Sequence, residues 1–325
     1  MSNYQNPSIS IVIPVYNAET LIQRCVDSIF AQTYDDYEIV IVDDGSTDNS
    51  LQVCQNFIKS HNNVKVFHQE NEGQTSARKY GFEQSKGKYI YFVDADDYVP
   101  ENALYFLFQK IVEEDLDMIE GATISDFAGT VKTETFSIEG IFNKIEHLKM
   151  MYKGESHNGT HAILYRRNLF NENTFNIPYD VRTGEDFYLN LSLSLLANRI
   201  GLYNKVVYHY IENEQSITHI YKFKSIRPQE HLIECTRREL LRHNVFHLVK
   251  EEFYERAVSS IFIACLHNLS LRNDIYNKKI AKEALPHAKT SYNKLLCRLL
   301  LYPIFLPLLG AINDLRKYIL KKMRR

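Results

Sequence analysis

Three apolar runs in the first hundred residues each stop abruptly at a polar or acidic cluster, and this recurrence constrains the fold more than any other feature. SISIVI at 8–13 runs into Pro14-Val15-Tyr16-Asn17, YEIVIV at 37–42 into Asp43-Asp44, and KYIYFV at 88–93 into Asp94-Ala95-Asp96-Asp97. Short apolar runs of this kind, bounded by turn residues, read as buried strands. Between them lie helical patterns. Leu21, Cys25 and Ile29, beside Ile22, Val26 and Phe30, share one face, and Leu51, Cys54 and Ile58 mark a second helix after Gly45-Ser46-Thr47-Asp48, a turn and N-cap.

A third strand is expected at 64–68, a helix carrying Arg78 comes next, and Pro100 stands at a plausible first helical position before a helix over 101–113. The region 117–124 reads as another strand. Strands alternating with helices of this length predict an α/β fold with a mostly parallel, Rossmann-like sheet flanked by helices, because parallel neighbours need a crossover that packs back on the sheet. In such sheets ligands bind beyond the carboxyl ends of the strands. All three polar clusters would lie on that edge.

Beyond residue 125 the pattern mixes: a helix at 143–153, a strand at 161–165, a helix at 185–197 and strands near 200–210. From Tyr221 the chain reads as helical to its end. The expected division is therefore 1–222, with a first half over 1–124 and a second over 125–222, and a helical region over 223–325.

Apolar residues make up 45% of the 325 and charged residues 24%, which suits a soluble globular protein. The five cysteines form no CxxC pair, no zinc-like spacing and an odd set, so free thiols in a reducing compartment are expected. MSNYQNPSIS lacks a basic stretch followed by an apolar one, so a cytoplasmic location is expected. The net charge of −2 hides an asymmetry, since 311–325 holds Arg316, Lys317, Lys321, Lys322, Arg324 and Arg325 against Asp314 alone. Before it, LLLYPIFLPLLGAI at 299–312 is uncharged, shorter than the roughly 20 residues a spanning helix needs, and broken by Pro303 and Pro307. The pair reads as an interfacial segment with a basic end, a peripheral contact at the inner face of the cell membrane, with no nucleic acid as partner; the alternative for 299–312 is a core helix of the C-terminal region.

Asp94-Ala95-Asp96-Asp97 gathers carboxylates as a hard divalent cation requires, since magnesium and manganese take oxygen ligands and keep positions open for substrate phosphates. An acidic loop before a helix is just as often solvated or capping. Its companions change the weight: PVYNAE at 14–19, VDDGSTDNS at 42–50, NEGQTSARKYG at 71–81 and DADD together resemble the inverting family 2 glycosyltransferases of the GT-A fold. The resemblance runs from about residue 8 to 220.

That resemblance implies a UDP-sugar as donor and Mn2+ or Mg2+ as cofactor. It also implies roles for individual residues. Pro14 and Val15 would offer backbone contacts to the base, Tyr16 would stack on it, Glu19 would lie near the ribose, and Asp44 would accept the uracil N3–H. Arg78 would approach the diphosphate or base, though many relatives have Asn where Lys79 stands. Asp94, with Ala95 beside it, would meet the ribose or a metal-bound water, Asp96 would bind the metal, and His209 is a second candidate ligand. Asp97 would do no more than lead into the next helix. Gly184-Glu185-Asp186 resembles the family's acidic pair, with Asp186 as base and Glu185 placing the acceptor, a hydroxyl of a glycan or lipid-linked sugar in bacterial surface polysaccharide assembly. The alternative is a catalytically inactive GT-A protein that binds sugar nucleotide or glycan. His161 stands on an apolar strand, where a lone histidine is more often structural, and Asn158-Gly159-Thr160 reads as a turn.

Overall fold

The computed structural model describes residues 6–127, 130–178, 180–181, 183–211 and 223–305. The chain divides into two compact units, Met1–Asn176 with Glu185–Ser216, and Ile177–Gly184 with Ile217–Arg325. The second unit thus includes Ile177–Gly184, a segment that the sequence pattern assigns to 1–222.

In the first unit, β1 (Ile9–Val15), β2 (Tyr37–Asp44), β3 (Val64–Gln69) and β4 (Tyr89–Phe92) alternate with α1 (Ile22–Phe30), α2 (Ser50–Ser60) and α3 (Gln74–Gln84). All pairings among these four strands are parallel. After β4 come α4 (Ala103–Glu113), β5 (Met118–Phe127), β6 (Thr130–Glu134), β7 (Gly140–Phe142), α5 (Lys144–Lys153), β8 (Ile163–Arg166), α6 (Glu185–Leu196) and β9 (Ile200–Ile211). The sheet order is β3-β2-β1-β4-β8-β5-β9-β7, with β6 on β5. β8 enters antiparallel to both β4 and β5, so the mixed second half joins the parallel first half at the strand whose end carries the acidic loop.

Every residue of β1, β2 and β4 is buried, because both faces are covered, which explains continuous apolar runs in place of alternation. On one face Ile11, Ile13, Ile39, Ile41 and Tyr91 pack with α1 and α4; on the other Val12, Val40, Val42, Ile90 and Phe92 pack with Ala77 of α3 and Leu189 and Leu193 of α6. Helix α3 lies so close to the sheet that a Cβ at Gly81 would sit 2.4 Å from Val12 Cγ1. Only glycine permits that approach.

Three local expectations change. Helix α4 starts at Ala103, and Pro100 stands before it, its carbonyl accepting from the Ala103 N–H. Strand β8 begins at Ile163, not 161, because Ala162 has a φ of 61° that no strand adopts. β6 and β7 are additions to the expected strands: Thr130–Glu134 is exposed throughout and β7 has three residues, so neither carries an apolar signal. All five cysteines are free and buried.

The second unit is helical over its described part, with α7 (Arg227–Arg242), α8 (Lys250–His267), α9 (Ile275–Ala284) and α10 (Ser291–Leu301). Its buried residues include Ile233, Leu240, Val258, Ile261, Ile280 and Leu300. Of the apolar run 299–312, Leu299 and Leu300 are buried on α10, and residues 306–325, including the basic end, lie outside the described residues. Among the described residues no helix is long and apolar enough to cross a membrane.

Candidate active site

The ends of β1, β2 and β4 bring their polar clusters to one edge of the sheet, since β1 pairs in parallel register with both neighbours. Pro14 and Val15 close β1 and are buried, while Tyr16, just beyond, is 52% exposed. Glu19 accepts from the backbone N–H and the side-chain amide of Asn49, both at 2.9 Å, which ties the first loop to the second. Asp44 is buried and accepts from Gln69 Nε2 at 2.7 Å, Glu72 N at 3.0 Å and Gly73 N at 2.9 Å. It therefore shapes the loop leading into α3, and only Gly73 engages Oδ2.

The central cation is Arg78. Its side chain is 1% exposed, its Nη2 donates to Asp94 Oδ1 at 2.8 Å, and its Nη1 is ion-paired with Asp186 Oδ1. Sequence reasoning sends this guanidinium toward the diphosphate or base; in the structure it joins the acidic loop after β4 to the acid pair opening α6. Gln74, one turn earlier on α3, also donates to Asp94 Oδ1, at 2.9 Å. It lies at i−4 from Arg78, so helical spacing alone could have marked it.

Burial lifts the Asp186 carboxyl above the usual range, with Asp94 adding to it and Arg78 opposing. Glu185 is raised for the same first reason, then by the charge of Asp186, and its Oε2 has no hydrogen-bond partner. Both are partly buried, with 29% of the Asp186 side chain exposed. A carboxylate held charged by a guanidinium while its basicity is raised suits proton abstraction.

Around the acidic loop, Ala95 is buried and Asp97 is not a mere lead into α4. Asp97 is 1% exposed and accepts from the Tyr208 hydroxyl and the Ile211 N–H, both at 2.7 Å, fastening the loop to β9. Tyr208 also accepts from Asp94 N at 3.0 Å. Arg24 donates to the Asp96 carbonyl and lies over the Tyr98 ring. His209 exchanges backbone bonds with Tyr98, and the two rings stack at 4.3 Å with 7° between planes. The sequence points to His209 and passes over Tyr208, its neighbour on the opposite face of the strand.

Burial, then Asp94, raises Asp96 to about 6, and burial with Asp94 and Asp96 raises Asp97 as well. Asp96 and Asp97 are thus short of positive charge. Among the described residues no group of three or more His, Cys, Asp or Glu side chains could hold a metal by itself. Oxygen donors in deficit of charge but too few for a complete cage fit a cation of the magnesium type, which takes one or two carboxylates and fills its remaining positions with water and substrate phosphate.

The family model for glycosyl transferase family 2 matches residues 10–174. The chain belongs to that family. Among curated relatives, it is 35% identical to the glycosyltransferase GlyG of Streptococcus pneumoniae serotype 4, over 64% of this chain and 72% of that protein. It is 32% identical both to GlyA of the same organism and to the uncharacterized glycosyltransferase EpsJ of Bacillus subtilis, each over 66% of this chain. The chain spans only 32% of the length of GlyA and 64% of EpsJ. Among solved structures, residues 1–349 of S. aureus TarS in complex with UDP-GlcNAc align with a TM-score of 0.74 at 20% identity, covering 92% of this chain and 89% of that one. At that identity the likeness speaks for the fold alone, and the fold is GT-A. The chain thus joins family 2 sequence motifs to a GT-A sheet.

Proposed function

We propose that the protein is an inverting, metal-dependent glycosyltransferase that moves a sugar from a UDP-sugar to a hydroxyl of a glycan or lipid-linked acceptor during assembly of a bacterial surface polysaccharide. The observation that carries this reading is the Asp94–Arg78–Asp186 bridge, which holds a donor-side carboxylate and a basic carboxylate on one buried cation. A module that only binds nucleotide has no use for the second. The UDP-GlcNAc named with TarS supports the donor class, and the polysaccharide setting rests on relatives such as the poly(ribitol-phosphate) beta-glucosyltransferase of Bacillus spizizenii, 32% identical over 62% of this chain.

Tyr16 receives the uracil ring, and Asp44 holds the loop that frames it with an acceptor lone pair of Oδ2 to spare. Asp96 is the residue that would hold Mn2+ or Mg2+; a ligating His209 would give up its stack on Tyr98. When bound, the cation offsets charge on the departing diphosphate. Asp186 takes the proton of the acceptor hydroxyl as its oxygen attacks the anomeric carbon opposite the leaving group. Arg78 keeps Asp186 ionised and aimed until that proton arrives. A single displacement inverts the anomeric centre. Residues 306–325 anchor the chain peripherally at the inner face of the membrane.

Incubating the full chain with a panel of UDP- and GDP-sugars, with Mn2+, Mg2+ or a chelator, tests the reading. Release of UDP from a UDP-sugar with metal alone, and a product of opposite anomeric configuration, is expected. Neither turnover nor UDP binding with any donor contradicts it. For the membrane, a deletion of 306–325 is the proper cut, since removing 296–305 also takes out the buried Leu296, Cys297, Leu299 and Leu300; unchanged membrane fractionation after that deletion rules out the anchor.

A further inference from the structure

His161 is placed where a structural histidine need not be. His161 stands just before β8, the strand that pairs with β4, and the charges of Asp94 and Arg78 both act on its ring. Its ring lies 5.2 Å from the ring of Tyr208, 6.0 Å from that of Tyr210 and 5.5 Å from that of His157. Tyr208 is the residue whose hydroxyl is bonded to Asp94 and Asp97. His161 therefore shares a wall with the acidic loop.

The backbone departs from ordinary geometry to put it there. Ala162, fully buried, has a φ of 61°, a conformation an alanine adopts only at a cost of about 1–2 kcal/mol. A Cβ at Gly159 would come within 2.7 Å of His161 Nδ1, so a side chain there would push the ring aside. A backbone outlier such as Ala162 is retained where a site requires it. Among the described residues, no side-chain hydrogen bond reaches the His161 ring, which is only partly buried. The neighbouring Thr160 hydroxyl is buried without a partner, as is Glu185 Oε2 of the acid pair.

Burial, then His157, pushes the His161 ring down to about 4 against the pull of Asp94, so at neutral pH it is uncharged, with one N–H donor and one acceptor. An uncharged ring offers little to a diphosphate, and the proton of the acceptor hydroxyl belongs to Asp186. What such a ring does well is give and receive hydrogen bonds with a hydroxyl. We infer that His161 binds a hydroxyl of the hexosyl group being transferred and so determines which nucleotide sugar is accepted. This rests on the proposed glycosyl transfer and adds the residue that reads the sugar.

The test compares wild type, His161→Phe and Gly159→Ala on UDP-glucose, UDP-galactose, UDP-GlcNAc, UDP-GalNAc and monodeoxy analogues of the preferred donor. Phenylalanine keeps a ring beside the two tyrosines and removes both nitrogens; alanine at 159 displaces the ring and leaves it intact. Both should keep most of their UDP affinity, because the bonds of the Tyr208 hydroxyl to Asp94 and Asp97 stay in place. Activity on the preferred donor should fall about 10–100-fold in kcat/KM, the loss expected when a buried polar contact is removed. The deoxy analogue that wild type rejects should be used by His161→Phe as well as the parent sugar. A uniform loss across all donors, retained discrimination in His161→Phe, or UDP binding lost with activity overturns the inference. If wild type turns over no nucleotide sugar, the transferase reading falls and this one with it; wild-type turnover with unchanged selectivity in the variants overturns the His161 role alone.

Discussion

Two buried carboxylate networks lie in the same unit and differ in how far their atoms are paired. In one, Glu120 at the middle of β5 and His147 on α5 are fully buried; Glu120 Oε1 accepts from His147 Nε2 at 2.7 Å, and Oε2 from Ser156 Oγ at 2.9 Å and His157 N at 3.1 Å. Asn190 of α6 donates to the His157 carbonyl and accepts from Tyr165. Apart from His147 Nδ1, its polar atoms are spent inside the protein. In the other, Arg78 holds Asp94 and Asp186, both partly open, while Arg78 Nε and Glu185 Oε2 have no partner. A network whose atoms are nearly all paired within the protein fixes structure; one with open carboxylates and unspent atoms is left for a ligand. The first network also serves the second, since Asn190 is one turn from Asp186 on the same helix.

The contrast can be broken most forcefully at Arg78. Arg78→Met leaves Asp94 and Asp186 facing each other without their cation, and removing one partner of a buried pair costs about 3–5 kcal/mol. Thermal or urea unfolding should show that loss, with activity below detection. A milder loss would mean that the two acids rely on solvent more than on Arg78.

At Glu120 a smaller and different effect is expected. Glu120→Gln should destabilise the protein by about 1.5–3 kcal/mol, the value of hydrogen bonds to a charged group, yet leave kcat/KM of the folded enzyme within about threefold of wild type. Burial alone would raise the Glu120 carboxyl, but His147, His157 and the hydrogen bonds hold it below its ordinary 4.5. Its stabilisation is therefore present above pH 4.5 and lost as pH falls through the lower folded value, so acid denaturation should be shallower in Glu120→Gln. Equal acid sensitivity in both proteins would remove Glu120 from the causes of acid unfolding. Asp186 behaves with the opposite sign: burial raises it, so the acid limb of kcat should lie above the usual aspartate range of about 4, activity falling as pH drops through it.

Smallest of all should be Lys79→Ala. The Lys79–Glu83 pair is about half exposed on both sides and 3.9 Å apart, and such pairs contribute below about 0.5 kcal/mol. A large loss of activity there would show that Lys79, one residue from Arg78, reaches substrate.

Legibility in the sequence depends on whether the information is local. The three buried strands, their shared edge and the helices between them come from period and turn chemistry, and the four motifs identify the family. The partners of Arg78 are 16 and 108 residues away, and nothing in ARKYG says that its guanidinium bridges Asp94 and Asp186. Asp97 reads as a simple lead into a helix because its tie to Tyr208 spans 111 residues across the sheet. His161 is hidden for the same reason, since its ring neighbours Tyr208 and Tyr210 stand on β9, far along the chain.

The central claim is that Asp186 is the base and Asp96 belongs to the metal-dependent nucleotide site. Measuring UDP binding with Mn2+ and sugar transfer side by side in Asp186→Asn and Asp96→Asn addresses it directly. Asp186→Asn should lose about 10²–10⁴-fold in transfer, the range for general-base catalysis, and keep UDP affinity, while Asp96→Asn should lose both. Near-normal transfer by Asp186→Asn, or equal loss of UDP binding in the two variants, would contradict the assignment.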